Sequence, residues 1–205
     1  MVRGLLHPVA IPFLMALGDI LYSRIANNSM DLKPQELLVI LKVSAHPGRR
    51  FTFAALAQEL SMSPAEVHAS VKRAKGAGLV NIRGRGDWSP VRPAVQEFLV
   101  HGARYAFPAE IGPVKRGVPT AYGAEPLVSL LHSEGDPPVW AHPQGNARGP
   151  SISPIYRTAP QAALADPALH RLLALLDALR MGRARERELA ANLLADALKS
   201  HDAAA

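Results

Sequence analysis

The stretch from Ser61 to Val80 carries the densest set of helix start and stop signals in the chain. Ser63 suits an N-cap, Pro64 suits the first helical position, and Glu66 stands where a capping-box partner belongs. Apolar residues then recur at helical spacing, at Val67, Val71 and Ala74. A cation and glycines follow in Lys75-Gly76-Ala77-Gly78. The pattern predicts a helix over residues 63–77.

A shorter helix is predicted directly upstream, over Phe51–Leu60, with its apolar side chains turned inward. Only the three residues Ser61-Met62-Ser63 separate the two helices. A helix, a tight turn and a second helix with a strong N-cap form a helix-turn-helix arrangement.

The outer face of the second helix is small and basic. At about 100° per residue, the side opposite the apolar stripe carries Ala65, Ala69, Lys72 and Arg73, flanked by Glu66 and His68. Alanine can contact a thymine methyl group, and lysine or arginine can reach guanine edges or phosphates. The alternative is an ordinary solvated helix face.

The segment behind this helix predicts a β-hairpin. Residues 79–83 form the first strand, the glycine-rich tip Gly84-Arg85-Gly86-Asp87 follows, and Trp88-Ser89 starts the return strand. Arg83 and Arg85 would then contact phosphates or enter a minor groove.

The run LAQELSMSPAEVHASVKRAKGAGLV followed by IRGRGDW resembles the winged helix-turn-helix domains of bacterial regulators, most closely MarR-like ones. The resemblance implies an α+β, mostly α fold and a cytoplasmic, dimeric protein that binds double-stranded DNA and represses transcription by covering a promoter. The DNA-binding residues expected on this basis are Ser63, Ala65, Glu66, His68, Ala69, Lys72, Arg73, Lys75, Arg83, Arg85, Arg49 and Arg50.

The charge of the chain is concentrated in this segment. Residues 49–92 contain eight Lys and Arg residues against three Asp and Glu, whereas the whole chain has 23 against 17. Such a basic patch suits phosphate. It would also suit RNA or an acidic membrane surface, and the helix-turn-helix pattern favours duplex DNA.

Three regions are expected, residues 1–30, 31–105 and 106–205. The first contains either a helix from about Pro12 to Ala26 that packs on the winged domain or on a second subunit, or an extension upstream of a start at Met30. In the second, a helix over Asp31–Ala45, a short strand over Arg49–Thr52 and a helix over Val91–Tyr105 complete the winged domain.

The third region begins with a proline- and glycine-rich stretch, residues 106–159, which excludes long helices but is too rich in aromatic and aliphatic residues for a disordered linker. A pair of leucine-rich helices follows, the first capped by Asp166 and opened by Pro167, with Gly182 before the second. These helices form either core or a dimer interface, and two-fold symmetry suits palindromic operators. The expected dimer contacts are Leu169, Leu172, Leu173, Leu176 and Leu193.

Motifs for catalysis or cofactor binding are missing from the sequence. There is no cysteine, no phosphate-binding glycine loop, no GxSxG and no HExxH. His132, Glu134, Asp136 and His142 lie close in sequence, but a solvated loop explains them more simply than a metal site. No enzyme activity, cofactor, metal or membrane contact is therefore expected.

Two rival functions stay open. The layout of RYAFPAEIGPVKRGVPTAYG with a C-terminal DALRMGRARERELAANLL resembles winged-helix antitoxins of AbiE-type systems, which would bind an operator and a cognate toxin. The other rival is an enzyme that acts on nucleic acid and uses the hairpin as its DNA anchor.

Overall fold

The protein is mostly helical in a computed structural model that describes residues 31–84, 86–131 and 135–199. With 53% helix and 16% strand it has an α+β, mainly helical composition, as predicted. The helix predicted from about Pro12 to Ala26 lies outside the described residues. Among the residues described, no helix is both long and apolar enough to cross a membrane.

The first part of the described chain contains three helices and a hairpin. These are α1 (Pro34–Ser44), α2 (Phe53–Leu60), α3 (Pro64–Gly76), β1 (Val80–Gly84) and β2 (Asp87–Pro90). All five elements were predicted at these positions. Helix α1 lies at the centre, because Val39 and Ile40 are buried together with Leu37, Leu38 and Leu41. A helix that is apolar on all sides requires neighbours on all sides, and α2, α3 and β2 supply part of that cover.

The short strand predicted over Arg49–Thr52 is absent from the described structure, and that prediction is wrong. Thr52 instead caps α2, since its hydroxyl accepts a hydrogen bond of 3.1 Å from the Ala55 backbone N–H. Phe51 is buried. The side chains of this segment therefore fix its path without a third strand, and β1 pairs with β2 alone.

The hairpin leads into the helix predicted over Val91–Tyr105. It consists of α4 (Arg92–Glu97), one π-helical turn (Phe98–Gly102) and α5 (Ala103–Ala106). Val95, Leu99 and Ala103 recur every four residues and are buried, which explains why the chain keeps one inward face through the wide turn.

In the proline- and glycine-rich stretch, the sequence predicts irregular strands or extended segments at residues 138–141 and 152–156. The described residues of the stretch form a closed three-stranded sheet, which confirms a strand at the first segment, whereas the closure of the sheet and the strand over residues 111–119 were not predicted. Strand β3 (Ile111–Pro119) pairs antiparallel with both β4 (Val139–Ala141) and β5 (Ala147–Ile152). A single parallel bridge, Val139 to Ser151, joins β4 to β5. A Cβ atom at Gly145 would lie 2.0 Å from the carbonyl carbon of Gly117, so the approach to β3 requires glycine there.

The C-terminal part is helical, with α6 (Ala159–Ala165), α7 (Pro167–Met181) and α8 (Ala184–Lys199). The predicted helical pair and its Asp166 cap are confirmed by α7, α8 and the hydrogen bonds from Ala168 and Leu169 to Asp166 Oδ1. Helix α7 packs on α1, α5, α6 and α8. The described residues from Leu32 onward form one compact unit with a shared core, so a boundary between residues 105 and 106 does not separate two cores.

Candidate nucleic-acid interface

Helix α3 begins where the sequence predicts and is fixed by its own side chains. The Ser63 hydroxyl accepts a hydrogen bond from the Glu66 backbone N–H at 3.1 Å, and the Ser63 N–H donates to Glu66 Oε2 at 2.8 Å. Pro64 occupies the first helical position. Both ends of this reciprocal pair lie within one turn, so this cap could be predicted from the local sequence.

One face of α3 is buried and the opposite face is open. Val67, Ser70, Val71 and Ala74 pack inward. The opposite ridge consists of small residues with one cation among them: Ala65, Lys72 and Gly76 are exposed, and Ala69 is half-buried. Because these side chains are short, another surface can come close to the helix backbone along this ridge. We call this ridge, together with Lys75 and the β1–β2 hairpin, the α3 surface.

Two further predicted residues, His68 and Lys75, lie beside this ridge on α3. His68 is exposed, and its ring contacts Phe53 edge-on with 5.3 Å between the ring centroids. Lys75 is exposed in the last turn of the helix, where a cation also complements the helix dipole.

Arg73 differs from its predicted role, since its guanidinium is bound within the fold. Nε and Nη2 of Arg73 donate to Glu36 Oε1 at 3.0 and 2.5 Å. The Glu36 side chain is fully buried, whereas that of Arg73 is 21% exposed. A buried carboxylate without a cation would be strongly unfavourable. The structure therefore gives Arg73 the role of neutralising Glu36 and leaves Lys72 as the accessible cation in the middle of α3.

Of the two arginines predicted to contact DNA from the hairpin, Arg83 lies within the described residues. Ile82 is opposite Trp88 in the strand register, and Trp88 packs against the core. Arg83 is exposed, and it lies where the strand register shifts between Ile82 and Gly84. Arg85 lies outside the described residues. Gly86 has a φ of +78°, which suits glycine at the tip.

Arg49 and Arg50 lie beside the hairpin but differ in their contacts. Arg49 forms a two-point ion pair with Glu59, one bond of which is 3.2 Å, and its guanidinium stacks 4.2 Å from the centroid of Phe51. Arg50 is exposed and lines a depression of about 70 Å³ next to the hairpin tip. Arg50 is therefore the more accessible of the two cations.

Two residues that the sequence did not single out meet the start of α3. The Tyr156 hydroxyl donates to Glu66 Oε1 at 3.0 Å, and Arg157 Nη2 donates to the same oxygen at 3.3 Å. The hydrogen bonds from the Ser63 backbone, the Ser63 side chain and Tyr156 lower the pKa of the Glu66 carboxyl, so it is ionised at neutral pH. No local pattern could reveal this contact, because 90 residues separate Tyr156 from Glu66.

A buried charged cluster holds the C-terminal helices on the first helices. Lys42 Nζ lies 2.6 Å from Asp166 Oδ2 and 2.7 Å from Glu59 Oε2, and His46 Nε2 lies 2.6 Å from the same Asp166 oxygen. Burial alone would raise the pKa of Asp166, but the hydrogen bonds from Lys42, His46 and the Leu169 backbone lower it to about 2. These charges satisfy one another, which indicates a structural role.

A second buried pair fastens α7 to the sheet. Asp177 accepts hydrogen bonds from the Thr120 hydroxyl at 2.9 Å, from Trp140 Nε1 at 2.7 Å and from Arg180 Nη1 at 2.6 Å. Burial raises the pKa of Asp177, and the Arg180 guanidinium and the other donors oppose that rise. Arg180 Nε also donates to the Phe107 carbonyl at 2.7 Å. Every strong contact of this pair is internal, so it too is structural.

The leucines predicted to form a dimer seam are located in the core of the single chain. Leu169, Leu172, Leu173 and Leu176 are each at most 5% exposed. The predicted seam along this face of α7 is therefore wrong, because α1, α5, α6 and α8 already cover it. Leu193 on α8 is half-buried and packs against the same core.

Metal ligands do not come together in the described part of the chain, where no group of three or more His, Asp or Glu residues could hold an ion. His132 and Glu134 lie outside the described residues.

No protein-family model, curated protein or solved structure matches this chain. Any function therefore has to be inferred from the α3 surface and the charges around it.

Proposed function

We propose that the protein binds double-stranded DNA through the α3 surface and acts as a transcriptional regulator. The order of α2, a three-residue turn, α3 and a two-stranded hairpin is that of a winged helix-turn-helix. In such a domain the second helix enters the major groove and the hairpin lies against the neighbouring backbone.

The observation that carries the proposal is the exposed ridge of α3. A B-DNA major groove is about 12 Å wide and admits a helix of about 10–12 Å in diameter. Ala65, Ala69 and Gly76 let the helix backbone approach the floor of such a groove, and Lys72 lies among them to contact a base edge or a phosphate.

The exposed cations around the ridge fit the phosphate backbone. Lys75 follows Lys72 along α3, Arg83 is exposed on β1, and Arg50 is exposed beside the hairpin tip. Cations spaced in this way displace counterions from DNA, which makes the affinity salt-dependent. Arg73 and Arg49 contribute less in this proposal, because Glu36 and Glu59 already bind their guanidinium groups.

The proposed regulatory action is repression by occupying a promoter. We also propose a homodimer, whose interface lies on a surface other than the buried face of α7. A two-fold symmetric binding site would support both points, because a symmetric dimer contacts two half-sites about one helical turn apart.

The test is selection of bound duplexes from a random DNA library, followed by fluorescence anisotropy with the recovered sequence. We expect Lys72→Ala to weaken binding and to reduce the slope of log affinity against log salt by about 1 if Lys72 contacts a phosphate. Arg83→Ala should weaken binding by a similar factor on all sequences, because a phosphate contact carries no sequence information.

Arg185→Ala is the matched control, since Arg185 is exposed on α8, which packs chiefly on α7 and α4. Its affinity and salt slope should equal those of the wild type. The proposal fails if the wild type binds no duplex more tightly than it binds heparin, or if Lys72→Ala and Arg83→Ala both leave the affinity unchanged.

A further inference from the structure

We propose that the DNA interface extends onto the C-terminal region, where Arg157 contacts the DNA backbone beside the start of α3 and Tyr156 positions that end of the helix. This inference depends on the proposed DNA binding. It adds a contact that a winged helix-turn-helix alone does not contain, since Tyr156 and Arg157 lie between β5 and α6.

Glu66 brings a negative charge to the start of α3. Its carboxylate belongs to the capping box of α3 and is ionised, and it lies in the first turn of the helix proposed to enter the groove. A carboxylate there would repel the phosphates of bound DNA. Arg157 lies 3.3 Å from Glu66 Oε1 and offsets this charge, so the capping box can be kept on a surface that meets DNA.

The guanidinium of Arg157 is accessible to a ligand. Its side chain is 73% exposed, and its guanidinium lies 5.4 Å from the centroid of the Tyr156 ring. A guanidinium has five N–H donors, and the contact with Glu66 involves a single nitrogen, Nη2. The remaining donors can bind phosphate oxygens, for which the planar fork of arginine is well suited.

Cations lie along the whole length of α3. Glu66 lies in the first turn, and Lys72 follows about 9 Å further along the axis at 1.5 Å per residue. The hairpin with Arg83 begins shortly after the other end of the helix. An exposed arginine therefore lies near each end of α3, where it can contact a phosphate and help to fix the orientation of the helix on the duplex.

The backbone that carries Tyr156 and Arg157 is held by packed elements. Tyr156 is half-buried and packs against the core, and its carbonyl accepts a 2.9 Å hydrogen bond from the Ala159 N–H at the start of α6. Helix α6 in turn packs on α2. The backbone at Arg157 is thus held next to α3 by packed elements, so this segment needs no ordering of its backbone before the side chain binds a phosphate.

The experiment measures affinity and salt dependence for Arg157→Ala, Arg157→Lys and Tyr156→Phe with the duplex selected by the wild type. Arg157→Ala should weaken binding by about tenfold and reduce the salt slope by about 1. Arg157→Lys should keep the wild-type slope. Tyr156→Phe removes the hydroxyl that binds Glu66 and should weaken binding with an unchanged slope, because no phosphate contact is lost.

Arg185→Ala serves again as the control for loss of a surface arginine, and unfolding curves show whether each variant is folded. If the wild type binds the duplex and Arg157→Ala has the same affinity and slope, the extended interface is refuted and the α3 surface stands alone. A Tyr156→Phe protein with wild-type affinity would refute the positioning role. If the wild type prefers no duplex, the proposed function and this inference fail together.

Discussion

Asp166 shows how one side chain can serve two elements at once. Its Oδ1 caps α7 through the Ala168 and Leu169 N–H groups, while its Oδ2 binds Lys42 and His46. The pKa of its carboxyl falls from 3.8 to about 2 on folding. A carboxyl with a lowered pKa stabilises the fold above its unfolded pKa, and this contribution is lost as the pH falls toward its folded pKa.

We therefore expect Asp166→Asn to lower the free energy of unfolding at pH 7 by about 2 kcal/mol relative to the wild type. This difference should shrink as the pH falls from about 4 to about 2, because the wild-type carboxyl is protonated over that range. Urea unfolding at a series of pH values measures the difference. For Asp196→Asn, at an exposed position of α8, the free energy of unfolding should differ little from that of the wild type at every pH. If the difference in free energy of unfolding between Asp166→Asn and the wild type did not change with pH, the lowered pKa of Asp166 would be contradicted.

The sequence alone could not show that Lys72 is accessible whereas Arg73 is bound within the fold. Both are cations on the same side of the predicted helix, and Arg73 is bound only because Glu36 is buried 37 residues earlier in the chain. The cap at Ser63 could be predicted because its partner, Glu66, is three residues away. Local partners are visible in a sequence, whereas distant ones depend on packing.

The turn between α2 and α3 contains one residue, Ser61, in an unusual backbone conformation. Ser61 ends α2 with a φ of 52° and a ψ of 45°, in the left-handed region that favours glycine. The sequence predicts a tight turn there but gives no sign of a strained serine.

Ser61→Gly should raise the free energy of unfolding by up to about 1 kcal/mol, because glycine has no Cβ to strain in this conformation. Thermal or urea unfolding checks the sign. Ala54→Gly, at an exposed position of the same helix, should lower it by up to about 1 kcal/mol, since glycine is a poor helix former. If both changes lowered stability alike, the left-handed position of Ser61 would not be costly.

Elements with their own periodicity or caps were predictable, whereas the closure of the β3–β5 sheet, which depends on distant partners, was not. Helices α1 to α4 and the hairpin follow from apolar spacing, N-caps and glycines. The sheet of β3, β4 and β5 has prolines and glycines within its strands, and β3 lies with most of its residues exposed. No alternation marks such strands, because their pairing depends on close backbone approach at Gly117 and Gly145.

The spacing of the leucines on α7 predicts a broad apolar face, but it does not show which surface covers that face. The same pattern suits a dimer seam or a core, and here α1, α5, α6 and α8 supply the cover. The proposed DNA-binding half and the C-terminal half thus share one core, which is why a segment as distant as Tyr156 and Arg157 can be held beside α3.

Leu176→Ala distinguishes an internal role from a seam. Leu176 is fully buried, so its truncation should lower the free energy of unfolding by about 2–5 kcal/mol through lost burial and a new cavity. That loss should be the same at low and high protein concentration, whereas removal of a dimer contact would give a loss that depends on concentration. Leu164→Ala, at a residue that is 41% exposed on α6, should cost less than about 1 kcal/mol. Urea unfolding over a hundredfold range of concentration, with light scattering for the mass, decides between the two. If the stability loss of Leu176→Ala disappeared on dilution, this face of α7 would be a dimer contact on the surface of the folded chain.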